Sequence, residues 1–258
     1  MTSTDSHLLA RLAEVEYVLF RDPAHSRATE FGTFVHHPNF PGRYDCNQLL
    51  DCRCPADRVP ALVKELDGLY ADLNLGFRKM SGHDEPTLAA LTPMFEGERW
   101  KVNRSRMTIR SAPPVRAPNP AVRVRAVDPF DPDFEAVQER REDGSFDRGF
   151  LYHRSQTARI GGEWLLATLD GKSAGSTGWF VAGGIARFRF IGTLESARGR
   201  GVATTLIRHV ADHPAVQAAD HLCIHVGDDG PVRLYEDLGF RTVGRMWDAM
   251  RHAPGTAT

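Results

Sequence analysis

The sequence predicts a mixed α/β fold divided between two domains, and three observations support this prediction. Predicted strands and helices alternate along most of the chain, which is typical of a mixed sheet flanked by helices. A segment at 111–120, SAPPVRAPNP, carries four prolines in ten residues and separates two stretches of domain length. A glycine-containing segment, 197–206, lies between a predicted strand and a predicted helix. We therefore expect one domain at 1–111, a linker at 112–121 and a second domain at 122–258.

The composition is that of an ordinary globular protein, with 258 residues, 41% hydrophobic and 25% charged residues, and a formal net charge of -1. This charge balance does not favour nucleic acid or a membrane surface as the partner. The first twenty residues lack a basic start and are interrupted by Glu14 and Glu16, so no signal peptide is predicted. No apolar run reaches the roughly 20 residues that span a membrane. We expect a cytoplasmic protein.

The four cysteines, at positions 46, 52, 54 and 223, are expected to be thiols in a reducing compartment. With His36 and His37 upstream, a zinc site is the alternative. Structural zinc ligands usually come in pairs separated by roughly two to four residues, whereas only one residue separates Cys52 and Cys54. The sequence therefore predicts buried thiols and no metal site.

Hydrophobic periodicity and turn residues define the elements of the second domain. Dipeptides typical of hairpin turns, Asp170-Gly171 and Gly183-Gly184, separate three consecutive strands. In order, the sequence predicts a strand at 122–127, helices at 130–142 and 150–160, strands at 164–171, 173–184 and 185–194, a helix at 202–213, a strand at 222–226, a helix at 232–239 and a final strand pair within 240–251.

The first domain has a weaker pattern that ends in the same order of elements. Strands are predicted within 31–38 and 44–52, then a helix at 59–74, a strand at 77–80, a helix at 86–97 and a strand or hairpin within 98–110. Strand, helix, strand, helix, strand is also the order at the end of the second domain. We infer a degenerate internal repeat, in which the segment RCPADRV after the second strand lacks glycine.

The segment ARGRGVATTL has the properties of a phosphate-binding turn. Gly199 and Gly201 permit a tight turn and expose backbone amides, and the positive end of the following helix attracts an anion. Arg198 and Arg200 can add charge-assisted hydrogen bonds to phosphate oxygens. A helix-start turn without a ligand is the alternative interpretation of so short a motif.

This segment resembles motif A of the GNAT acyltransferases, Gln/Arg-x-x-Gly-x-Gly/Ala, with matches at Arg198, Gly201 and Ala203. About thirty residues later, PVRLYEDLGF resembles the helix of this family that ends Leu-Tyr-Glu-x-Leu-Gly-Phe. The resemblance covers 122–251 and implies a GNAT fold there. The first domain is similar to the degenerate first halves of tandem GNAT proteins, and is expected to bind no coenzyme and to shape the acceptor cleft.

The resemblance implies acetyl-CoA, or another acyl-CoA, as the cosubstrate, and no metal. The strands at 185–194 and 222–226 would separate, with the acyl-pantetheine between them and the amide of Leu194 facing the thioester oxygen. Where relatives often carry Asn and Ala, this chain has Asp228 and Pro231, and a carboxylate cannot donate as an amide does. The implied coenzyme-binding residues are Thr193, Leu194, Arg198, Gly199, Arg200, Gly201, Val202, Ala203, Thr204 and Asp228.

The implied catalytic residues are Tyr235, which matches the tyrosine that protonates the departing thiolate, together with Leu194 and a general base. His225 is the leading candidate for the base, because histidine titrates near neutral pH. Glu195 and water relays are alternatives for the base. A packing role is the alternative for both Tyr235 and His225.

Arg187 and Arg189 alternate on one predicted strand and therefore share a face. If that face lines the acceptor cleft, they suit an acceptor that carries a carboxylate or a phosphate. The alternative is a solvated strand face.

The sequence thus predicts an acyl-CoA-dependent N-acyltransferase that passes an acetyl group to a small-molecule amine by direct attack in a ternary complex. One alternative is a tandem GNAT-like transferase with an aminoacyl-tRNA donor, because 99–127 carries eight basic residues and no acid. Another is a non-catalytic coenzyme A-binding protein. The sequence does not predict the oligomeric state.

Overall fold

The computed structural model describes residues 3–128, 130–137, 149–227 and 231–252. The chain forms two compact units. The first unit is Met1–Arg106 together with Val243–Thr258, and the second unit is Met107–Thr242. These bounds differ from the predicted domains, because the C-terminal segment belongs to the first unit and the predicted linker belongs to the second.

Backbone hydrogen bonds fix the proline-rich segment within the second unit. The Ser111 amide donates to the Gly239 carbonyl oxygen at 2.8 Å, and the Val115 amide donates to the Asp237 carbonyl oxygen at 2.9 Å. Arg116 also forms an ion pair with the Asp237 carboxylate. The prolines remove donors from this segment, as expected, but the amides of Ser111, Ala112 and Val115 have partners in the second unit.

The described part of the first unit has three α-helices and a sheet. The helices are α1 (Ser3–Val18), α2 (Val59–Asp72) and α3 (Glu85–Gly97), and the strands are β1 (Ser26–Thr29), β2 (Gly32–Val35), β3 (Gln48–Leu50) and β4 (Phe77–Gly82), followed by the first part of β5 (Lys101–Arg110) and the last part of β11 (Phe240–His252). The sheet order is β1-β2-β3-β4-β11. Antiparallel pairs join β1 to β2, β2 to β3 and β4 to β11, whereas β3 and β4 are parallel.

The parallel strands β3 and β4 stay joined at their C-terminal ends. Leu49 pairs with Met80, and just beyond this pair the Cys52 amide donates to the Ser81 carbonyl oxygen at 2.8 Å. The Arg53 guanidinium then contacts both His83 and Asp84. A backbone hydrogen bond and the contacts of the Arg53 side chain therefore join the C-terminal ends of β3 and β4.

The second unit contains the predicted series of strands and helices except at two places, the short helix Pro214–Gln217, which was not predicted, and the final strand. Its elements are the last part of β5, β6 (Val122–Val127), α4 (Pro132–Val137), α5 (Gly149–Arg159), β7 (Glu163–Leu169), β8 (Lys172–Ala182), β9 (Ile185–Thr193), α6 (Val202–Ala211), α7 (Pro214–Gln217), β10 (His221–Gly227), α8 (Val232–Asp237) and the start of β11. The predicted final strand pair is wrong, because Phe240–His252 is one strand. The end of the helix predicted at 130–142 lies outside the described residues.

The sheet of the second unit has the order β5-β10-β9-β8-β7-β6. Strands β6 to β9 are antiparallel neighbours, and β9 and β10 are parallel. Helix α6 packs its buried residues, which include Val202, Leu206 and Val210, against the face that carries Phe188 and Ile224. The expectation of buried thiols is confirmed, because all four cysteines are buried and none forms a disulfide with another.

Gly239 marks a close approach that the proline-rich segment requires. Its φ is +85°, and a Cβ at this position would lie 2.0 Å from the Ala112 carbonyl oxygen. Gly171 is a matched control with φ +74°, because a Cβ there would meet no atom within 4 Å. Replacement of either glycine by alanine would therefore strain the backbone to a similar extent, but only an alanine at position 239 would also clash with a neighbouring atom.

We predict that Gly239→Ala destabilises the protein more than Gly171→Ala in urea unfolding. The left-handed backbone costs roughly 1–2 kcal/mol in either variant, and the clash adds about 1–3 kcal/mol in Gly239→Ala alone. Equal unfolding free energies for the two variants would contradict the close packing of the proline-rich segment on this turn.

Candidate functional site

The central feature of the site is a separation between β9 and β10. Only three residue pairs join these parallel strands, from His221 with Ile185 to Cys223 with Arg187. Strand β9 continues for six further residues and β10 for four, and these residues do not pair with one another. The separation expected from the family resemblance is therefore present, and it opens toward the C-terminal ends of both strands.

A short turn with two left-handed glycines connects β9 to α6. Gly199 has φ +74° and Gly201, the N-cap of α6, has φ +77°. A Cβ at Gly199 would meet no atom within 4 Å, so this side of the turn faces open space. We call residues 197–201 the glycine loop. The first amides of α6 have no partner within the helix, and the helix dipole adds positive potential at this end.

Asn119, at the end of the proline-rich segment, holds the glycine loop in place. Its side-chain amide donates to the Arg200 carbonyl oxygen at 2.7 Å, and its backbone amide donates to the Thr205 hydroxyl at 2.9 Å. A Cβ at Gly201 would lie 3.1 Å from the Asn119 Cβ. Sequence reasoning missed this residue, and the Asn-Pro dipeptide, typical of turns, was the signal available.

The remaining predicted loop and helix residues differ in what they can offer a ligand. The Arg198 and Arg200 side chains are exposed, and each lies near an acid, Glu195 at 4.0 Å and Asp170 at 2.7 Å respectively. Val202 and Thr204 are buried and Ala203 is half-buried. Their backbone amides in the first turn of α6 are therefore the groups that can face a phosphate.

One predicted catalytic group is already hydrogen-bonded. The Leu194 amide donates to the Ala174 carbonyl oxygen at 2.9 Å, so the expectation that it faces a thioester oxygen is wrong. The physical reason is that the β8–β9 ladder extends one residue past Thr193, which itself pairs with Gly175. Asp228, also predicted to contact the coenzyme, lies outside the described residues.

Tyr235 is buried on α8, and its ring lies 6.3 Å from that of Phe240. Burial raises the pKa of its hydroxyl above the usual value, and the Arg187 guanidinium partly offsets this because a cation favours the phenolate. The hydroxyl is therefore neutral near pH 7. The ring contributes to the core, as the packing alternative requires, and its hydroxyl also lies within the electrostatic reach of Arg187.

The strand register places His225, Arg187 and Arg189 on one face of the sheet. Cys223 pairs directly with Arg187, and His225 follows two residues later, which returns its side chain to the same face. His225 is half-buried and lies beyond the last β9–β10 pair. The predicted base and the two predicted acceptor-binding arginines are thus neighbours along the separation.

Arg187 and Arg189 are buried, with 5% and 6% of their surface exposed, so the alternative of a solvated strand face is wrong. The Arg187 guanidinium donates to the Phe188 carbonyl oxygen. The Arg189 guanidinium lies 3.0 Å from Nδ1 of His153, which projects from α5. Sequence reasoning missed His153 and Phe190, which contact Arg189, because no local motif marks them.

Within the residues that the structure describes, no group of three or more His, Cys, Asp or Glu side chains is placed to hold a metal ion. None of the described helices is both long and apolar enough to cross a membrane.

Comparison with known proteins agrees with this geometry. Residues 161–242 match the family model of the acetyltransferase (GNAT) domain. This range contains the β9–β10 separation, the glycine loop and Tyr235. No curated protein sequence matches the chain significantly.

Solved structures resemble the chain over most of its length. A GCN5-related N-acetyltransferase from Kribbella flavida is 16% identical, with a TM-score of 0.66 over 96% of each chain. A tandem GNAT protein from the clavulanic acid biosynthesis pathway is 14% identical, with a TM-score of 0.59 over 95% of this chain and 89% of that one. A functionally unknown conserved protein from Staphylococcus epidermidis is 11% identical, with a TM-score of 0.69 over 88% of this chain and 93% of that one.

At these identities the structural similarity establishes the fold, and the family model adds the sequence evidence for the second unit. The predicted fold class, a mixed α/β GNAT fold preceded by a degenerate GNAT-like half, is confirmed. Residues 161–242 therefore form a domain of the GNAT acetyltransferase family.

Proposed function

We propose that this protein is an acyl-CoA-dependent N-acyltransferase, which transfers an acetyl group from acetyl-CoA to a small-molecule amine by direct attack in a ternary complex. The observation that carries the proposal is the separation of β9 and β10 immediately before the glycine loop. The cosubstrate would supply the activated acyl group, and the residues of the second unit would bind it and handle the protons.

The glycine loop fits a pyrophosphate. Open space at Gly199 and the left-handed backbone of both glycines leave room for an anion beside the amide donors and the positive end of the α6 dipole. Arg198 and Arg200 are exposed beside it and can exchange their contacts with acids for charge-assisted bonds to phosphate oxygens. Thr193, the last residue of β9, would face the pantetheine part of the cosubstrate in the separation.

Tyr235 is the proposed general acid. A phenol whose pKa is raised by burial stays protonated near neutral pH, so it has a proton to donate when a thiolate departs. The Arg187 charge counteracts part of the increase in pKa and so makes proton transfer less costly than burial alone would allow.

His225 is the proposed general base. An amine attacks only in its neutral form, and a histidine can accept the proton without a large energetic cost near pH 7. Glu195 is less suitable, because its side chain is 91% exposed and lies beside Arg198. The position of His225 on the same sheet face as Arg187 and Arg189 supports a shared acceptor side.

Arg187 and Arg189 are the proposed acceptor-binding residues. Buried guanidinium groups attract an anion more strongly than exposed ones, because water screens them less. We therefore propose an amine acceptor that also carries a carboxylate or a phosphate.

The first unit is proposed to bind no coenzyme. Its parallel strands β3 and β4 remain joined by the Cys52–Ser81 hydrogen bond and by the contacts of Arg53, so no gap equivalent to that between β9 and β10 opens at their ends. The segment that follows β3 also lacks glycine between Asp51 and Val59.

The described contacts do not favour an aminoacyl-tRNA donor. Several arginines of the basic stretch form ion pairs with acids of their own unit, including Arg104 with Glu85 and Arg125 with Asp131. These pairs reduce the positive charge available to phosphates.

A measurement of turnover distinguishes a non-catalytic coenzyme-binding protein from the proposed transferase. The non-catalytic protein would bind acetyl-CoA but would release no thiol in the presence of any amine.

We predict that Gly199→Asp weakens acetyl-CoA binding by roughly 30-fold or more, because like charges in contact cost several kcal/mol. Gly183→Asp is the matched control, since Gly183 also has a positive φ and open space for a Cβ but lies in the β8–β9 turn. Gly201 is a poorer choice, because a side chain there would press on Asn119. Calorimetry measures the affinities, and equal affinities for the two variants would refute the loop as the phosphate site.

We predict that Tyr235→Phe lowers kcat by at least about 100-fold, the lower end of the usual contribution of general acid catalysis, with little change in KM for acetyl-CoA. The substitution keeps the buried ring and removes only the hydroxyl. Single-turnover kinetics should be used, because slow product release can hide a slower chemical step. A single-turnover rate equal to that of the wild type would assign Tyr235 to packing alone.

A further inference from the structure

Strand β9 contains a bulge on the side of the site where the acceptor is proposed to bind. The β8–β9 register pairs Gly178 with Arg189 and Ser176 with Gly192, so Thr177 alone faces both Phe190 and Ile191. Phe190 has φ +47°, a left-handed conformation that is uncommon for a bulky side chain. Bulges often redirect a side chain beside an active site.

The Thr177 hydroxyl stabilises this bulge. It is fully buried and lies 3.0 Å from the Arg189 carbonyl oxygen and 3.1 Å from that of Gly178. A hydroxyl donor here satisfies a carbonyl oxygen at the point where the backbone ladder is interrupted. Thr177 is therefore a positioning residue for the segment that carries Phe190.

The bulge places Phe190 beside Arg189 instead of in the core. In a regular strand, neighbouring residues point to opposite faces, yet the Arg189 guanidinium lies 4.7 Å from the centroid of the Phe190 ring. Phe190 is 41% exposed, whereas Phe188 on the α6 face is 1% exposed. The ring is thus displayed on the face that carries the proposed acceptor-binding arginines.

Three side chains among the described residues contact the Phe190 ring and restrict its orientation. Besides Arg189, His153 contacts it edge to face at 5.0 Å, and Trp164 stacks on it at 6.3 Å with an interplanar angle of 20°. Trp164 can occupy this place because Gly178 has no side chain; a Cβ there would lie 2.7 Å from the indole. An exposed ring fixed in this way is a preorganised surface for a flat group.

We propose that Phe190 determines acceptor specificity, and that the acceptor is an amine carrying an aromatic ring, which stacks on the exposed part of Phe190. The inference rests on the proposed function, because it concerns the acceptor side of the same site. Phe190 lies three residues past the last β9–β10 pair, so a group on its ring is beside the separation that would hold the acyl group.

The test compares phenylalanine with cyclohexylalanine, which share a carbon skeleton and the carboxylate expected of the acceptor and differ in the planarity of the ring. The wild-type protein should have a kcat/KM about threefold to tenfold higher for the aromatic amine, since aromatic stacking contributes by that order beyond burial. Phe190→Leu should abolish this preference without changing acetyl-CoA affinity. Phe130→Leu, which replaces another exposed phenylalanine outside the bulge, should retain it.

Two results would overturn the proposal: an unchanged preference in Phe190→Leu, or an equal loss in Phe130→Leu. If no amine is acylated, the proposed transferase function fails, but calorimetric titration of the two amines into the coenzyme A-loaded protein still tests the inference. Equal affinities of the wild-type protein for the two amines would then contradict it. A tighter aromatic complex that Phe190→Leu weakens would support it.

The role of the Thr177 hydroxyl is tested separately, by comparing a substitution that removes the hydroxyl with one that keeps it. Thr177→Val removes the hydroxyl at nearly constant shape and should lose the aromatic preference, whereas Thr177→Ser retains the hydroxyl and should keep it. Thermal unfolding of both variants shows whether the fold is intact. A folded Thr177→Val protein with the wild-type preference would exclude the hydroxyl as the group that positions Phe190.

Discussion

The short parallel pairing between β9 and β10 is the constraint on which the rest of the site depends. Three residue pairs hold the strands together, and the pairing stops at Arg187 and Cys223. Because the pairing stops there, the rest of both strands can border a ligand instead of each other. The related pair in the first unit behaves differently, since the Cys52–Ser81 hydrogen bond keeps the ends of β3 and β4 joined. One pair of strands can thus accommodate a ligand at its end, whereas the other forms ordinary sheet.

The elements around the separation depend on close backbone approaches. Gly239 allows the proline-rich segment to hydrogen-bond to the turn before β11, and this segment in turn brings Asn119 against the glycine loop. The Asn119 amide donates to the Thr205 hydroxyl, which in turn donates to the Gly201 carbonyl oxygen, so the segment is tied to the first turn of α6. A segment with the composition of a proline-rich linker therefore supports the proposed phosphate site. On the opposite side of β9, the bulge at Phe190 provides the proposed acceptor surface.

Local patterns were sufficient to predict the order of strands and helices from β6 to α6 and the turn at Gly199 and Gly201, but they missed the short helix α7 and divided β11 into two strands. Hydrophobic periodicity and the turn preference of glycine are properties of a few neighbouring residues, and the elements and the turn that were predicted depend only on such short-range preferences. The burial of Arg187 and Arg189, the partner of the Leu194 amide and the contact of Asn119 with the loop depend on groups distant in the chain. The bulge at Phe190 depends on the register with β8, and a phenylalanine with positive φ has no sequence signature. A three-dimensional arrangement was needed to detect these features.

Amide hydrogen exchange with and without coenzyme A tests the central claim most directly, because it locates the bound molecule along the chain. If the β9–β10 separation and the glycine loop bind the coenzyme, exchange should slow at residues 199–204 and should be unchanged at residues 51–58 after β3. Protection at 51–58, or unchanged exchange at 199–204 with saturating coenzyme A, would contradict the assignment of the site to the second unit.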